Sequence, residues 1–133
     1  MNPLCHTSVA SYGVADQFAS EWIAAWNAHD LDRIASHYRD DVLFMSPFAA
    51  RAGAHDGVLR GLPALRDYFE RALALYTHLH FEPIAVLSGV TSIALYYRSV
   101  EGREAIEVME LDARRQVHRA AAHYTAASTK RMQ

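Results

Sequence analysis

The sequence predicts an α+β domain in which helices come first and a meander of antiparallel strands follows. Up to Tyr76, apolar residues recur at the three- and four-residue spacing of amphipathic helices. After His78, β-branched and aromatic runs are separated by short polar turns. Helices followed by strands, rather than alternating with them, favour helices packed on one face of a curved sheet.

Composition limits the classes of protein to consider. The 133 residues fit one domain, and 51% apolar against 21% charged residues supports a single hydrophobic core. A net charge of -2 argues against a nucleic-acid partner. The lone Cys5 offers no disulfide, and neither a signal sequence nor a membrane-spanning run is recognisable, so we expect a cytoplasmic protein with no membrane partner. We divide the chain into a flexible leader (1–13), one domain (14–125) and a tail (126–133).

The first helix is predicted over Val14–Ala28, where Phe18, Trp22, Ile23 and Trp26 form one apolar stripe. A second, short helix should follow it and fold back on it.

That second helix is predicted to begin after Asp30, which has the residue type of an N-cap, and to reach Tyr38. The paired acids Asp40 and Asp41 are expected to close it.

The middle of the chain predicts a short strand, a loop and a third helix. Val42–Ser46 is an apolar run that ends at Pro47, as a strand at a sheet edge does. Phe48–Gly61 shows no sustained period and is predicted to be a loop or lid beside a site. The third helix opens with Pro63 and runs to Tyr76.

Four strands complete the domain, and their turns predict a pairing. A two-residue hairpin at Glu101–Gly102 places Tyr96 opposite Glu107, and a second tight turn at Ala113–Arg114 places Ala120 beside Glu107. The predicted strands are Phe81–Leu87, Val90–Val100, Glu104–Leu111 and Val117–Thr125. The residues that this pairing puts on the face of Glu107 are Ala94, Tyr96, Arg98, Ala105, Met109, His118, Ala120 and Ala122.

The opposite face of this predicted sheet is apolar as well. Three helices cover only one face, so we predict that a second copy of the chain covers the other and that the protein is a homodimer. The alternative is an exposed apolar sheet, which ordinary monomers tolerate. The residues assigned to this second face are Ile93, Leu95, Tyr97, Ile106, Val108 and Ala121.

A longer pattern resembles a known family. From Trp22 to Pro47 the chain reads W-x-x-A-W-N-A-H-D-L-D-R-I-x-x-H-Y-R-D-D-V-L-F-M-S-P, followed later by Arg60-Gly61 and by Glu107-Val108-Met109. It resembles the nuclear transport factor 2-like superfamily, in its SnoaL-like branch. The resemblance implies a cone-shaped barrel, in which a strongly curved, mainly antiparallel sheet wraps around N-terminal helices and leaves an apolar pocket. This superfamily hosts isomerases, cyclases, hydrolases, dehydratases and non-catalytic binding modules, so it does not define the function.

Within that resemblance, the chain can be compared with ketosteroid isomerase. Ser46 stands in the place of the general-base aspartate, and Trp22 in the place of the tyrosine that donates to the oxyanion. Glu107 falls on the second donor, a carboxylic acid that its apolar site keeps neutral. A serine hydroxyl is no general base near neutral pH, so we do not expect proton abstraction by that mechanism.

Glu107 is therefore the candidate catalytic residue, as a general acid or base or as a neutral donor. An ion pair with Arg98 is the structural alternative. We expect a small hydrophobic, oxygen-bearing ligand and cofactor-free isomerisation, cyclisation or elimination; the alternatives are a non-catalytic dimeric binding or interaction module and a pocket filled by the protein's own side chains. The candidate ligand-binding residues are Trp22, Tyr38, Ser46, Tyr68, Tyr96, Arg98, Met109, His118, Ala120 and Tyr124.

The histidines suggest a metal site as a hypothesis, but their spacing along the chain does not favour it. His78 and His80 are two residues apart and His55 precedes them, but no third or fourth ligand follows a zinc-binding spacing. The scattered glycines form no phosphate-binding loop. We therefore expect neither a metal nor an organic cofactor.

Overall fold

The computed structural model describes residues 12–126, so most of the predicted leader and tail, with Cys5, lie outside the described residues. The helices are α1 (Tyr12–Asn27), α2 (Leu31–Ala35), α3 (Pro47–Arg51) and α4 (Leu62–Leu75). The strands are β1 (Tyr38–Met45), β2 (Val58–Arg60), β3 (Glu82–Ser88), β4 (Ser92–Arg98), β5 (Glu104–Leu111) and β6 (Val117–Tyr124). None of the helices in this part of the chain is both long and apolar enough to cross a membrane.

All six strands form one open sheet in the order β2-β1-β6-β5-β4-β3. Neighbouring strands are antiparallel except for β1 and β6, which are parallel. The α+β class is confirmed, with helices first and the β3–β6 meander last.

The first turn between helices forms as the sequence predicts. His29 takes a left-handed conformation (φ 54°) that ends α1, and the Asp30 side chain accepts a hydrogen bond from the Arg33 backbone N–H at 3.2 Å. The extension of the second helix to Tyr38 is wrong, because α2 ends at Ala35 and Tyr38 begins β1.

Tertiary pairing explains that correction. Tyr38 is the first residue of β1 to pair with β6, where it lies beside Val117. Asp40 and Asp41 lie within this strand and do not close a helix. The residue types of the segment fit a helical period, but the parallel pairing with β6 decides its conformation.

The segment predicted to be a loop holds α3 and β2. Ser46 caps α3 by accepting a hydrogen bond from the Phe48 N–H at 3.1 Å, and Pro47 occupies the first turn. At Gly57 (φ 74°) the chain turns back, and the Gly57 carbonyl accepts a hydrogen bond from the Ser46 N–H. A Cβ at Gly57 would lie 3.3 Å from the Ser46 carbonyl oxygen, so both the conformation and the space favour glycine.

The turn between β4 and β5 contradicts the predicted two-residue hairpin. Arg98 pairs with Glu104, so five residues (99–103) connect the strands, with a short 3-10 turn at Val100–Gly102. The pairing therefore differs by one residue from the prediction: Leu95, not Tyr96, lies opposite Glu107.

A shift of one residue turns every side chain of β4 to the other side of the sheet. The prediction that Tyr96 and Arg98 share a face with Glu107 is therefore wrong. The face that packs against the helices, called the inner face, carries Ile93, Leu95, Tyr97, Ala105, Glu107, Met109, Ala120, Ala122 and Tyr124. The opposite side, called the outer face, carries Ala94, Tyr96, Arg98, Glu104, Ile106, Val108, Ala121 and His123.

The β5–β6 pairing differs from the prediction by two residues, so the faces of β6 are kept. Ala122 rather than Ala120 lies opposite Glu107. The turn is longer than predicted because the Asp112 Oδ1 accepts hydrogen bonds from the backbone N–H groups of Arg114 and Gln116, both at 2.9 Å.

The core lies between the inner face, α1 and α4. Trp22 is at its centre: the ring centroids of Phe81 and Tyr97 lie 5.9 and 5.4 Å from its own. Trp26 and Phe69 join α1 to α4 with an edge-to-face contact at 4.8 Å. One end of this aromatic core stays open.

Candidate functional site

The open end of the core is a pocket of about 430 Å³ between the inner face and helices α1, α3 and α4. This volume suits a small organic molecule. Its walls are largely aromatic and include Trp22, Phe44, Phe69, Phe81, Tyr97 and Tyr124. The pocket is not filled by the protein's own side chains, contrary to the structural alternative considered from the sequence.

Glu107 lies in the wall of this pocket and is 3% exposed. The Tyr97 hydroxyl donates a hydrogen bond to its Oε1 at 3.1 Å. Burial raises the pKa of Glu107 to about 7, and the hydrogen bond from Tyr97 partly opposes that rise. Both the protonated and the ionised form of this carboxyl group are therefore accessible near neutral pH.

The β5 strand explains why this carboxylate is poorly solvated. Its cross-strand neighbours on the inner face are Leu95 and Ala122, neither of which offers a charge or a side-chain hydrogen bond. The predicted alternative, an ion pair with Arg98, is wrong. Arg98 lies on the outer face, with its Nε 3.4 Å from Glu82 and its Nη1 3.6 Å from Glu104.

Three tyrosines and a serine bring hydroxyl groups together beside Glu107. Burial, followed by the negative charge of Glu107, raises the pKa of Tyr97 and of Tyr124. Burial also raises the pKa of Tyr68, and the Ser46 hydroxyl interacts with both Tyr68 and Tyr124. These phenols therefore remain protonated near neutral pH, and the O–H group of each is able to donate a hydrogen bond. We name Ser46, Tyr68, Tyr97 and Tyr124 the hydroxyl cluster.

Ser46 itself is buried and serves as the N-cap of α3. It occupies the position at which the resemblance to ketosteroid isomerase expects a base. Its oxygen accepts the Phe48 N–H, which fixes the start of the helix beside the pocket. Ser46 therefore fixes the start of α3 and supplies a hydroxyl group at this position, rather than a carboxylate.

Trp22 and Tyr38 form a buried pair, in which the Trp22 indole N–H donates to the Tyr38 hydroxyl at 3.0 Å. Because this indole N–H is used within the protein, Trp22 contributes a ring face to the pocket. Burial raises the pKa of Tyr38, whose ring centroid lies 5.6 Å from that of Phe69 in the pocket wall.

The structure separates the predicted site residues into three groups. Those in the pocket wall are Glu107, Trp22, Tyr68 and Tyr124. Those buried in the core without forming the wall are Tyr38, Ser46, Met109 and Ala120. Those placed elsewhere are Tyr96 and Arg98 on the outer face and the half-buried His118 on β6.

Sequence reasoning missed Tyr97 and the arginines at the pocket mouth. The signal for Tyr97 was present, because Ile93, Leu95 and Tyr97 are the more apolar alternate residues of β4. No sequence signal marks the arginines, since they come from α3, α4 and the β4–β5 turn, and only the fold brings these together.

The histidines considered as metal ligands lie at the surface. His55, His78 and His80 are exposed. Across residues 12–126, no group of three or more His, Cys, Asp or Glu side chains is arranged to hold a metal ion.

The curved sheet, the helices on its inner face and the pocket at the open end define a nuclear transport factor 2-like cone. A family model of the SnoaL-like domain matches residues 19–130, so the chain belongs to the SnoaL-like family. The resemblance read from the sequence is confirmed.

Solved structures agree with this assignment. A SnoaL-like protein of unknown function from Burkholderia thailandensis is 46% identical, with a TM-score of 0.85, and the match covers 88% of this chain and 98% of that one. An NTF2-like protein of unknown function from Cytophaga hutchinsonii shares the fold at 12% identity (TM-score 0.65; 84% and 89% covered). A protein from Catenulispora acidiphila with a ketosteroid isomerase-like fold, solved in complex with trimethylamine, does so at 11% identity (TM-score 0.68; 84% and 88% covered). The search of curated proteins finds no match.

Proposed function

We propose that this protein binds a small apolar, oxygen-bearing molecule in the pocket and exchanges a proton with it through Glu107. The observation that carries the proposal is the buried Glu107 carboxyl group in the pocket wall, with a pKa of about 7. A general acid or base works best when its pKa lies near the working pH.

The groups around Glu107 suit an oxygen-bearing ligand. Trp26 lines the pocket, and its buried indole N–H has no hydrogen-bond partner among residues 12–126. Tyr124 adds a phenolic O–H group on the same wall. A carbonyl or hydroxyl oxygen would satisfy these donors, while the aromatic rings bury its apolar body.

The reaction class follows from what these residues supply. Protonated Glu107 delivers a proton to an oxygen or carbon atom of the ligand, and ionised Glu107 removes one. Tyr68 and Tyr124 of the hydroxyl cluster, which lie in the pocket wall, stabilise negative charge that develops on a ligand oxygen. This set performs an isomerisation, a cyclisation or an elimination without a cofactor.

A non-catalytic binding module is the second candidate, and the state of Ser46 favours it. The position of the general base in ketosteroid isomerase is occupied here by Ser46, whose hydroxyl group caps α3. A pocket with one weak acid and several phenols can hold a ligand without converting it.

Turnover of a bound compound separates the two candidates. A thermal-shift screen of small ketones, enones and lactones identifies binders, which are then followed by mass spectrometry for conversion. In Glu107→Gln we expect turnover to fall by about 10²- to 10⁴-fold with little change in affinity. Glu104→Gln, on the outer face of the same strand, is the matched control and should keep wild-type turnover.

Full turnover in Glu107→Gln would contradict the acid–base role. Binding without conversion of any binder would favour the binding module.

We also propose that two copies of the chain pair through the outer face. Its apolar side chains are left uncovered by the helices, and Ile106 is 42% exposed. Light scattering behind size-exclusion chromatography should give twice the monomer mass at micromolar concentration, and Ile106→Glu should give the monomer mass. A strict monomer in the unsubstituted protein would contradict the pairing.

The cytoplasmic location expected from the sequence remains part of this proposal.

A further inference from the structure

The mouth of the pocket differs from its interior in charge. Arg51 at the end of α3, Arg71 on α4 and Arg103 after the β4–β5 turn all line it. Glu101 is the acidic residue of this rim, whereas Glu107 lies in the buried wall. The rim therefore presents more positive than negative charge to an entering molecule.

Arg103 is the most buried of the three arginines. Its side chain is 13% exposed, and its Nε–H is buried with no hydrogen-bond partner within residues 12–126. Its Nη2 lies 3.6 Å from the Glu101 Oε1, beyond hydrogen-bond distance. A buried N–H without an acceptor costs free energy, so an acceptor supplied by a ligand would stabilise this arrangement.

Two of the guanidinium groups lie over the ring of Phe48. The Cζ atoms of Arg51 and Arg103 both lie 5.1 Å from the centroid of its ring. The Tyr124 ring lies 4.4 Å from the same centroid and connects this site with the hydroxyl cluster. Arg71, in contrast, is paired with Asp67 one helical turn away. Arg51 forms no ion pair with any side chain in the described part of the protein.

We propose that the ligand is a small apolar carboxylate, whose acid group binds Arg103 and Arg51 at the mouth while its apolar body lies in the pocket against Tyr124 and Trp22. A guanidinium fork matches the two oxygens of a carboxylate. The inference rests on the proposed function, because it names the chemical class of the molecule that the pocket takes.

A pair of probes that differ only in charge tests this inference. Isothermal titration at low ionic strength compares 3-phenylpropionate with the neutral 3-phenylpropanamide. We expect the unsubstituted protein to bind the acid about tenfold more tightly than the amide, since hydrogen bonds to charged groups are the stronger ones. Arg103→Met should bind the two probes equally, and Arg103→Lys should recover part of the preference.

Arg33→Met is the matched control. It removes one positive charge from an exposed position of α2, away from the pocket, and should keep the full acid preference. If Arg103→Met does not fold, as judged by circular dichroism, Arg103→Lys and the exposed-site variant Arg51→Met decide the matter. A reduced preference in both supports the inference.

Equal affinity of the unsubstituted protein for acid and amide would overturn the carboxylate site and leave ligand binding in the pocket intact. An unchanged acid preference in the Arg103 variants would do the same. Binding of neither probe would overturn the carboxylate site and also count against the proposed ligand pocket.

Discussion

Two adjacent tyrosines of β4 donate to two glutamates of β5, and the two pairs lie on opposite faces of the sheet. Tyr97 donates to Glu107 on the inner face, and Tyr96 donates to Glu104 on the outer face. The groups are chemically the same, but Glu107 is buried without a cation, whereas Glu104 is partly exposed and has Arg98 nearby. Burial away from a cation therefore makes one pair a candidate site, whereas exposure and Arg98 leave the other a surface contact.

The largest expected effect comes from the packing around the inner pair. Leu95→Ala removes a fully buried side chain opposite Glu107 and should lower the free energy of unfolding by about 2–5 kcal/mol. Leu87→Ala, on the outer side of the edge strand β3 and 56% exposed, should lower it by less than about 1 kcal/mol. Urea unfolding measures both, and equal losses would contradict the difference between the faces.

The next largest effect is expected in the pH dependence of the free energy of unfolding. The pKa of Glu107 is about 7 in the folded protein and near 4.5 when unfolded, so the folded state binds the extra proton between these values. Stability is therefore highest below pH 4.5 with respect to this group and falls as the pH rises through 7, by up to about 3 kcal/mol. Urea unfolding from pH 5 to 9 should show this fall in the unsubstituted protein and in Glu104→Gln, but not in Glu107→Gln. A fall retained in Glu107→Gln would assign it to another group.

The smallest effect concerns the hydroxyl groups themselves. Tyr97→Phe removes the hydrogen bond that lowers the pKa of Glu107, so this pKa should rise further, with a loss of about 1 kcal/mol in stability. Tyr96→Phe should leave the Glu107 pKa unchanged, because its hydroxyl contacts Glu104. Titration of ¹³C-labelled glutamate carboxyl groups by NMR measures both variants. An identical Glu107 titration in all three proteins would show that Tyr97 does not act on the carboxylate.

Local signals predicted much of the fold. The stripe of Phe18, Trp22 and Trp26 predicted α1 almost to its ends, and Asp30 was recognised as an N-cap. Glu107 was assigned to the pocket side from strand pairing and the family resemblance, and Tyr124 was a candidate aromatic ligand-binding residue; both lie in the pocket wall. Their roles in binding and catalysis stay predictions.

Strand pairing was the weak point, because it depends on how many residues form a turn. Glu101 and Gly102 both have positive φ, as a two-residue turn would require, but Ser99 and Arg103 also belong to the loop. The Ser99 N–H bonds the Arg103 carbonyl at 2.7 Å and closes a five-residue connection. This one-residue error in the predicted pairing placed Tyr96 on the face of Glu107, where the structure has Tyr97.

The sequence by itself determined the class of fold, the order of its elements and the presence of an acidic residue on an apolar strand, because periodicity and residue type are local properties. Tertiary structure decided which tyrosine meets Glu107 and which arginines reach the pocket mouth. These contacts join residues far apart in the chain, and their geometry depends on strand pairing and loop length, which no local pattern specifies.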